Sequence, residues 1–365
     1  MNQPHINIMG TRGIPAAHGG FETFAESLAL YLVSQGWSVS VYCQSDGIVS
    51  GEPQESEWHG VQLITFGTTR QGAAGTMEFD FKCVRDVIKR PGVDLVLGYN
   101  TAIFNLLQRL CGRRIFMNMD GIEWKRAKWS LLAKIWFFIN EVIGANICSV
   151  PIADHPEIAR HVARRSLHKP VTIPYGSDRL GDLPTAPLKA LGLEPDGYFI
   201  SIARIEPENS ILEIVRSFSA KPRGLKLVVL GNFKSDNDYH QAVRSAASEE
   251  VIFPGAIYEV NTVRAARKYA RGYIHGHQVG GTNPSLVEAL GAGNAIIAHN
   301  NKFNRWVAGD SQMYFGSAKE LEFAIETVIS DGTRVQAMRK SAQSRHGEGF
   351  ELESILAQYR DLLLH

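Results

Sequence analysis

The chain has 365 residues, more than one ordinary hydrophobic core accommodates, so we expect two domains. Its hydrophobic fraction of 44% and charged fraction of 21% are typical of a soluble globular protein. A formal net charge of +1 argues against bulk nucleic-acid binding, although it permits a local basic patch. The four cysteines are scattered without a C-x-x-C pair, which indicates reduced thiols in a cytosolic protein and excludes a disulfide frame or a zinc site.

Neither a signal peptide nor a transmembrane helix is expected. Residues 5–9 already have the pattern of a core strand, where a signal peptide would have its apolar region. The longest apolar stretch, 131–150, is interrupted by Lys134, Asn140 and Glu141, so we expect that it does not span a bilayer.

The first half of the chain alternates strand and helix patterns. Apolar residues recur at helical spacing over 21–35, and Gly36 ends that helix. The predicted strands are 5–9, 38–43, 61–66, 93–97, 115–118 and 145–150. Strands separated by helices imply parallel β-α-β units in a doubly wound sheet.

Prolines and glycines cluster over 170–187, and the alternation restarts after them. The predicted strands are then 198–202, 225–230, 251–253, 272–274 and 295–298, and the helices are 211–218, 262–270, 284–292 and 351–364. We therefore predict an α/β fold with two Rossmann-like, doubly wound domains that face each other across a cleft. The predicted limits are 1–178 and 179–345, with residues 346–365 forming a C-terminal helix that crosses back to the first domain.

A glycine-rich turn before residue 284 is the most informative segment of the chain. Asn283 suits the N-cap of a helix, and Pro284 suits its first position. The backbone N–H groups of residues 281–286 should therefore converge on an anion, and Glu288 could accept hydrogen bonds from a ligand hydroxyl beside it. A tight turn that merely caps a core helix is the alternative.

Two further loops follow predicted strands. The loop 10–20 lacks the G-x-G-x-x-G fingerprint of dinucleotide-binding proteins, which disfavours a dehydrogenase. Arg204 follows the first strand of the second domain, where its guanidinium could pair with a diphosphate. A salt bridge from Arg204 to Glu206 or Glu208 is the alternative.

Together these segments resemble the retaining glycosyltransferases of family 4, which have the two-Rossmann architecture called GT-B. The resemblance covers nearly the whole chain and rests on GTRGIPAAHGGFETF (10–24), MDGIEWKRAKW (119–129), ARIEPENSI (203–211), FPGAIY (253–258) and HGHQVGGTNPSLVEAL (275–290). The first, second and last are especially similar to the subgroup of bacterial capsular and exopolysaccharide rhamnosyltransferases. The resemblance implies an acceptor domain followed by a nucleotide-sugar donor domain.

The resemblance also assigns donor-binding roles by motif. Arg204 becomes the diphosphate-binding arginine, and Glu288 the second glutamate of the E-x7-E signature, which holds the ribose. The backbone of Gly281, Thr282 and Asn283 faces the donor sugar or phosphate. Gly19 and Gly20 form the donor-phosphate or acceptor-side loop, and Ile257 and Tyr258 fall where the family holds the nucleobase.

Two positions depart from the family pattern. The first glutamate of the signature falls at Gly280, so we expect His277 or His275 to supply a polar contact to the donor sugar. The lysine partner of the family arginine falls at Asn209, and we expect Arg12 to replace its charge across the cleft.

Asp120 stands where many relatives carry a sugar-contacting histidine, so Asp120, then Glu123, and His277 are the predicted catalytic or sugar-contacting groups. Basic and aromatic residues interleave over 124–136 and include Lys128. This pattern suits a protein that rests on anionic lipid headgroups. An ordinary amphipathic helix with a solvated face is the alternative.

We therefore expect a cytoplasmic enzyme, peripheral on the inner face of the membrane. It would move a hexose, which we expect to be L-rhamnose from dTDP-rhamnose, to a lipid-linked saccharide, with retention. No metal and no cofactor are expected, because the donor is itself the substrate. The alternatives are a GT-B nucleotide-sugar epimerase and a nucleotide-sugar binding protein that has lost catalysis.

Overall fold

A computed structural model describes residues 3–16, 19–46, 52–126 and 129–364, without the side chain of Asp46. The chain divides into two units, one formed by Met1–Pro174 with Ile355–His365 and the other by Tyr175–Ser354. The first boundary lies four residues before the predicted limit of 178, and the second lies nine residues after the predicted limit of 345. That the two units are an acceptor domain and a donor domain stays a prediction.

The first unit is built on an eight-stranded sheet. Its strands are β1 His5–Met9, β2 Ser38–Asp46, β3 Gln54–Trp58, β4 Val61–Thr68, β5 Val93–Leu97, β6 Ile115–Asn118, β7 Val150–Ala153 and β8 Val171–Thr172. Their order is β3-β4-β2-β1-β5-β6-β7-β8, and all pairs are parallel except β3 with β4. The helices of this unit are α1 Gly20–Ser34, α2 Gly72–Val87, α3 Ala102–Leu110, α4 Leu131–Ile147 and α5 Pro156–Ala163.

The second unit is built on a parallel six-stranded sheet. Its strands are β9 Tyr198–Ile202, β10 Lys226–Leu230, β11 Val251–Gly255, β12 Gly272–His275, β13 Ile296–His299 and β14 Met313–Phe315, in the order β11-β10-β9-β12-β13-β14. Its helices are α6 Ala186–Ala190, α7 Ile211–Ser219, α8 Asp238–Ser245, α9 Val260–Lys268, α10 Pro284–Ala292, α11 Lys302–Ala308, α12 Ala318–Ser330 and α13 Gly332–Gly349.

Both faces of the second sheet are buried, as a doubly wound sheet requires. Successive side chains of a strand point to opposite faces, so each strand supplies two cores. Tyr198 and Ile200 of β9 belong to one hydrophobic cluster, whereas Phe199 between them belongs to the other. Helices α6, α9 and α10 cover the first face, and α7 and α12 cover the second.

The last helix, α14, spans Leu352–Leu364, and its residues from Ile355 onward belong to the first unit. Its Tyr359 packs against Phe24 of α1 with 4.8 Å between ring centroids. The Tyr359 hydroxyl also lies 3.4 Å from the side-chain nitrogen of Asn118. Within the described part of the chain, no helix is long and apolar enough to cross a membrane.

Most predicted elements are confirmed to within a few residues, but one strand is wrong. Residues 145–147 end α4, and the strand that follows starts only at Val150. A short apolar run does not distinguish a buried helix from a strand, and Gly144 favours the helix because it lies close against the Met117 side chain. The sequence prediction also lacks β3, whose exposed edge sequence QESEW has no apolar alternation.

Candidate functional site

The predicted donor residues gather at the carboxyl edge of the second sheet. Strand β9 lies between β10 and β12, so the chain builds the sheet outward from β9 first on one side and then on the other. In open parallel sheets, ligands bind beside the carboxyl ends of the strands at such a switch point. Arg204 follows β9, the segment 276–283 follows β12, and Ile257 follows β11.

Hydrogen bonds join the loop after β9 to the loop after β12. The Asn209 side-chain nitrogen donates to the Arg204 carbonyl at 2.8 Å, and its side-chain oxygen lies 2.6 Å from His277 Nδ1. Since the amide nitrogen serves the carbonyl, the amide oxygen must accept, and His277 therefore donates from Nδ1. Neutral His277 consequently carries its unprotonated nitrogen at Nε2.

Further bonds fix the two loops against each other. The Ser210 hydroxyl donates to the Gly276 carbonyl at 2.7 Å, and the Gln278 N–H donates to the Glu208 carbonyl at 2.9 Å. Asn304 donates to the His277 carbonyl at 2.9 Å. Arg204 and His277 are therefore held on one continuous polar surface. The sequence prediction missed the bridging role of Asn209, which it treated only as a lost positive charge.

The cap of α10 is confirmed, but it uses part of the predicted anion site. Asn283 is the N-cap and accepts from the Ser285 N–H at 3.0 Å, and its carbonyl accepts from the Leu286 N–H at 3.0 Å. The expectation that the N–H groups of Ser285 and Leu286 point at a ligand is thus wrong. The backbone N–H groups predicted to face a ligand are therefore reduced to those of Gly281, Thr282 and Asn283. Gly281 has a positive φ of 107°.

Glu288 lies one turn inside α10, with its carboxylate 2.6 Å from the guanidinium of Arg267. The Arg267 side chain is buried, whereas that of Glu288 is 43% exposed. This ion pair orients the carboxylate and keeps it in contact with solvent. Ribose binding by Glu288 stays a prediction, with Arg267 as the residue that would position it.

The Arg204 side chain is 65% exposed and lies 3.7 Å from Glu208. An exposed pair at this distance contributes little to stability, roughly 0–1 kcal/mol. The guanidinium therefore loses little interaction energy when it leaves Glu208 and contacts a phosphate. The alternative of a salt bridge to Glu208 is present as a loose contact, and that to Glu206 does not form among the described residues.

Gly280, where the family glutamate is missing, lies against an aromatic ring. A Cβ built on Gly280 would lie 2.5 Å from Cζ of Phe303 in α11. Real Cβ contacts are longer, so Phe303 would have to move before any side chain fitted at this position. The ring of Phe303 thus occupies space that a larger residue at 280 would need.

The predicted nucleobase residues differ in burial. Ile257 is partly buried against the hydrophobic cluster of the sheet. Tyr258 is 76% exposed, and its hydroxyl accepts from the Asn232 side chain at 3.1 Å. Both follow β11 at the same sheet edge as Arg204, although no contact between them and Arg204 is described.

The predicted residues of the first unit lie at the carboxyl edge of its own sheet. Gly19 is the N-cap of α1, which begins at Gly20. The Arg12 N–H donates to the Glu22 carboxylate at 3.1 Å, which ties the loop after β1 to the first turn of α1. Ala17 and His18 of this loop lie outside the described residues. That Arg12 acts on the donor across a cleft stays a prediction.

Asp120 follows β6 and has a positive φ of 38°, a strained conformation for a residue other than glycine. Its N–H donates to the Asn118 side chain at 3.0 Å. Glu123 is more constrained, because one carboxylate oxygen accepts from Arg126 at 2.6 Å and the other from the Trp129 indole at 3.0 Å. The roles of Asp120 and Glu123 as groups that contact substrate stay predictions.

The tryptophans of 124–136 are partly buried, and two of them donate hydrogen bonds to other parts of the protein. The indole N–H of Trp124 donates to buried Glu141 at 2.8 Å, and that of Trp136 donates to the Asn100 carbonyl at 2.8 Å. Helix α4 also has large apolar side chains that are exposed, and these are Leu131, Leu132, Ile135, Phe138 and Ile139. Lys128 lies outside the described residues.

The expectation of no metal site overlooked an Asp-x-Asp triplet at 236–238. Asn237 in its centre caps α8, accepting from the N–H groups of Tyr239 at 3.0 Å and His240 at 3.2 Å. Across the described ranges, no cluster of three or more His, Cys, Asp or Glu side chains could hold a metal ion. Metal independence stays a prediction.

Two families match the chain. Residues 3–178 match a domain of unknown function (DUF1972), and residues 189–345 match the glycosyl transferases group 1. A search of curated proteins finds no match. The second match covers β9 to α13 and hence the hydrogen-bonded loops that carry Arg204 and His277.

Solved structures share the whole fold. A sucrose-phosphate synthase from Thermosynechococcus elongatus has a TM-score of 0.83 at 16% identity, with 99% of this chain and 98% of that one covered. HepE from Anabaena, solved with UDP and glucose, has a TM-score of 0.75 at 16% identity and 99% coverage of both chains. A trehalose-phosphate synthase from Burkholderia xenovorans, solved with glucose-6-phosphate, has a TM-score of 0.75 at 13% identity and 100% coverage of both chains.

These findings confirm the predicted GT-B fold of two Rossmann-like parallel sheets. Residues 189–345 therefore match the glycosyl transferases group 1 on a GT-B fold, which supports a glycosyltransferase.

Proposed function

We propose that this protein transfers L-rhamnose from dTDP-rhamnose to a lipid-linked saccharide during synthesis of a cell-surface polysaccharide, with retention of configuration. The observation that carries the proposal is the hydrogen-bonded junction of the loops after β9 and β12. It holds Arg204 and His277 at the switch point of one sheet, and the Ser285 hydroxyl in the first turn of α10 donates to the Ile202 carbonyl there at 3.2 Å. A cation and backbone N–H groups on one surface suit a diphosphate.

The leaving diphosphate is the group that such a reaction must stabilise. Arg204 would pair with its oxygens, and the N–H groups of residues 281–283 would donate to the phosphate nearest the sugar. His277 would accept from a sugar hydroxyl through Nε2, because Nδ1 donates to Asn209. The departing phosphate would take the acceptor proton, so the reaction requires no cofactor and no metal ion.

Phe303 supports a deoxy sugar. A glutamate at position 280 would offer a carboxylate to a sugar hydroxyl, but here an aromatic ring fills that space. The methyl group of a 6-deoxyhexose has no hydroxyl to satisfy and packs favourably on an apolar ring. Rhamnose is such a sugar.

The exposed face of α4 supports an acceptor at a membrane surface. Leu131 and Leu132 are 73% and 80% exposed at the start of this helix, and Lys134 lies two residues after Leu132. Apolar side chains beside a cation suit insertion among anionic headgroups. We propose that this helix rests on the inner face of the membrane, where a lipid-linked saccharide is presented.

A calorimetric titration of the purified protein with dTDP-rhamnose, dTDP-glucose, UDP-glucose and GDP-mannose tests the proposal. We expect dTDP-rhamnose to bind most tightly. Preference for a UDP- or GDP-sugar would refute the rhamnose part, and no binding of any nucleotide sugar would refute the whole. Binding without transfer to any acceptor would favour the alternative of a protein that has lost catalysis, whereas release of an epimer without acceptor would favour an epimerase.

A further inference from the structure

The first sheet has its own switch point, and a cavity lies there. Strand β1 lies between β2 and β5, so the chain builds the sheet outward from β1 first on one side and then on the other. The cavity has a volume of about 140 Å³ and is lined by residues at the carboxyl ends of all three strands, including Gly10, Gln44 and Gly98. Helices α2 and α3 complete its walls. Such a volume holds several water molecules, and hence part of a small ligand.

Asp80 of α2 is the chemically distinctive residue of this cavity. Its Oδ2 accepts from the Thr101 hydroxyl at 2.7 Å. Among the described residues, its other carboxylate oxygen has no hydrogen-bond partner. Phe79 and Phe104 lie in the walls beside it. The cavity thus joins an acceptor of hydrogen bonds to apolar aromatic surface.

Part of this arrangement carries a cost to the stability of the fold. Thr101 is the N-cap residue of α3, yet its hydroxyl makes no cap and donates to Asp80 instead. Burial raises the pKa of Asp80 to about 6, because the charged carboxylate loses water. A carboxylate kept at such a cost is more typical of a binding group than of a packing one.

The charges of the cavity disfavour an anionic ligand beside Asp80. Its lining has one cationic side chain, Arg12, and two carboxylates, Glu22 and Asp80. The backbone N–H of Arg12 donates to the Glu22 carboxylate, which is part of the same lining. A phosphate close to Asp80 would face like charge in a poorly hydrated space.

We propose that this cavity binds the terminal sugar of the acceptor and that Asp80 selects a neutral, unphosphorylated sugar by accepting hydrogen bonds from its hydroxyl groups. The inference rests on the proposed glycosyltransferase function. A carboxylate can accept from two adjacent hydroxyls at once, and aromatic walls suit the apolar face of a sugar ring. The trehalose-phosphate synthase that shares the fold was solved with a phosphorylated sugar, glucose-6-phosphate.

The test compares wild type with Asp80→Asn, which keeps the side-chain volume and an oxygen for the Thr101 hydroxyl. Glu57→Gln is the control, since Glu57 is an exposed carboxylate of β3 outside the cavity. On the best substrate from a panel of lipid-diphosphate-linked mono- and disaccharides, we expect Asp80→Asn to raise the acceptor KM by about tenfold or more. The calorimetric Kd for dTDP-rhamnose should stay within about twofold in all three proteins. An unchanged acceptor KM in Asp80→Asn would overturn the inference.

A binding measurement separates this inference from the proposed function. The free mono- and disaccharides of the same panel and glucose 6-phosphate are each titrated calorimetrically into wild type and Asp80→Asn. We expect a neutral saccharide to bind wild type and to lose about tenfold or more affinity in the variant, even if no transfer is found. Tighter binding of glucose 6-phosphate than of glucose, or equal binding of the neutral saccharides by both proteins, would overturn the assignment of Asp80. Absence of transfer alone would count only against the proposed function.

Discussion

The two sheets place their candidate sites at the same topological position but equip them with opposite charge. The switch point of the second sheet offers the guanidinium of Arg204 and the N–H groups before α10. The switch point of the first offers the carboxylate of Asp80 between Phe79 and Phe104. We therefore propose that sheet topology sets where each ligand binds, and that the side chains at the strand ends select an anion at one site and a neutral molecule at the other.

Removal of Arg204 should affect the second site most. In Arg204→Ala we expect dTDP affinity to fall by about 30- to 100-fold, because charge-assisted hydrogen bonds to both phosphates are lost. Titration calorimetry with dTDP measures this change. The control is Arg216→Ala, which removes an exposed arginine of α7 away from the strand ends. Equal dTDP affinity in both variants would contradict the role of Arg204.

Loss of Asn209 should weaken the junction between the two loops of the same site. Asn209→Ala leaves the Arg204 carbonyl and His277 Nδ1 without their partner. We expect the free energy of unfolding to fall by about 2 kcal/mol, measured by urea denaturation. The dTDP affinity should fall as well, since Arg204 loses its fixed backbone. Lower stability with unchanged dTDP affinity would show that the junction has no part in binding.

The first site should behave oppositely, because Asp80 is destabilising when charged. Its folded pKa of about 6 is above the reference value of 3.8, so stability falls as pH rises between these values. Asp80→Asn should therefore be more stable than wild type by about 1–2 kcal/mol at pH 7.5, and this advantage should vanish below about pH 4. Urea denaturation across this range measures it.

The charged groups around Asp80 are Arg12 and Glu22 across the cavity, and buried Cys83 lies on its own helix. Glu57→Gln should show no comparable gain, since this carboxylate is exposed. If Asp80→Asn is less stable than wild type at pH 7.5, the carboxylate is a structural group, and the first site does not behave oppositely to the second.

The smallest effect is expected at α4, outside both sites. Ile135→Asp should weaken binding to vesicles of phosphatidylglycerol by about 3- to 10-fold, because an apolar contact is replaced by a charge that the headgroups repel. Vesicle cosedimentation measures this loss. Phe323→Asp, on the exposed surface of α12 in the other unit, is the matched control. Equal loss in both variants would assign membrane binding to net charge rather than to α4.

Much of this molecule is predictable from local sequence patterns. The strand 198–202 and the cap formed by Asn283 and Pro284 are local features, because alternation and cap preference act within a few residues. Strand β3 escaped prediction because both its faces are polar and its pairing with β4 decides its conformation.

The contents of the sites depend on contacts that are distant in sequence. Gly280 and Phe303 are brought together only by the fold, so a glycine in place of a glutamate signals a loss without showing what fills the space. The bridging role of Asn209 likewise depends on His277, and the hydrogen bond of Asp80 depends on Thr101 at the start of the next helix. Pairing of this kind leaves no periodic signal in either segment.

Mass spectrometry of the lipid product tests the central claim most directly. The wild-type protein is incubated with dTDP-rhamnose and vesicles that carry a panel of lipid-diphosphate-linked mono- and disaccharides. We predict that one acceptor gains the mass of a single deoxyhexosyl residue and that Arg204→Ala does not produce it. No mass gain on any acceptor, with dTDP-rhamnose or any other nucleotide sugar, would contradict the account.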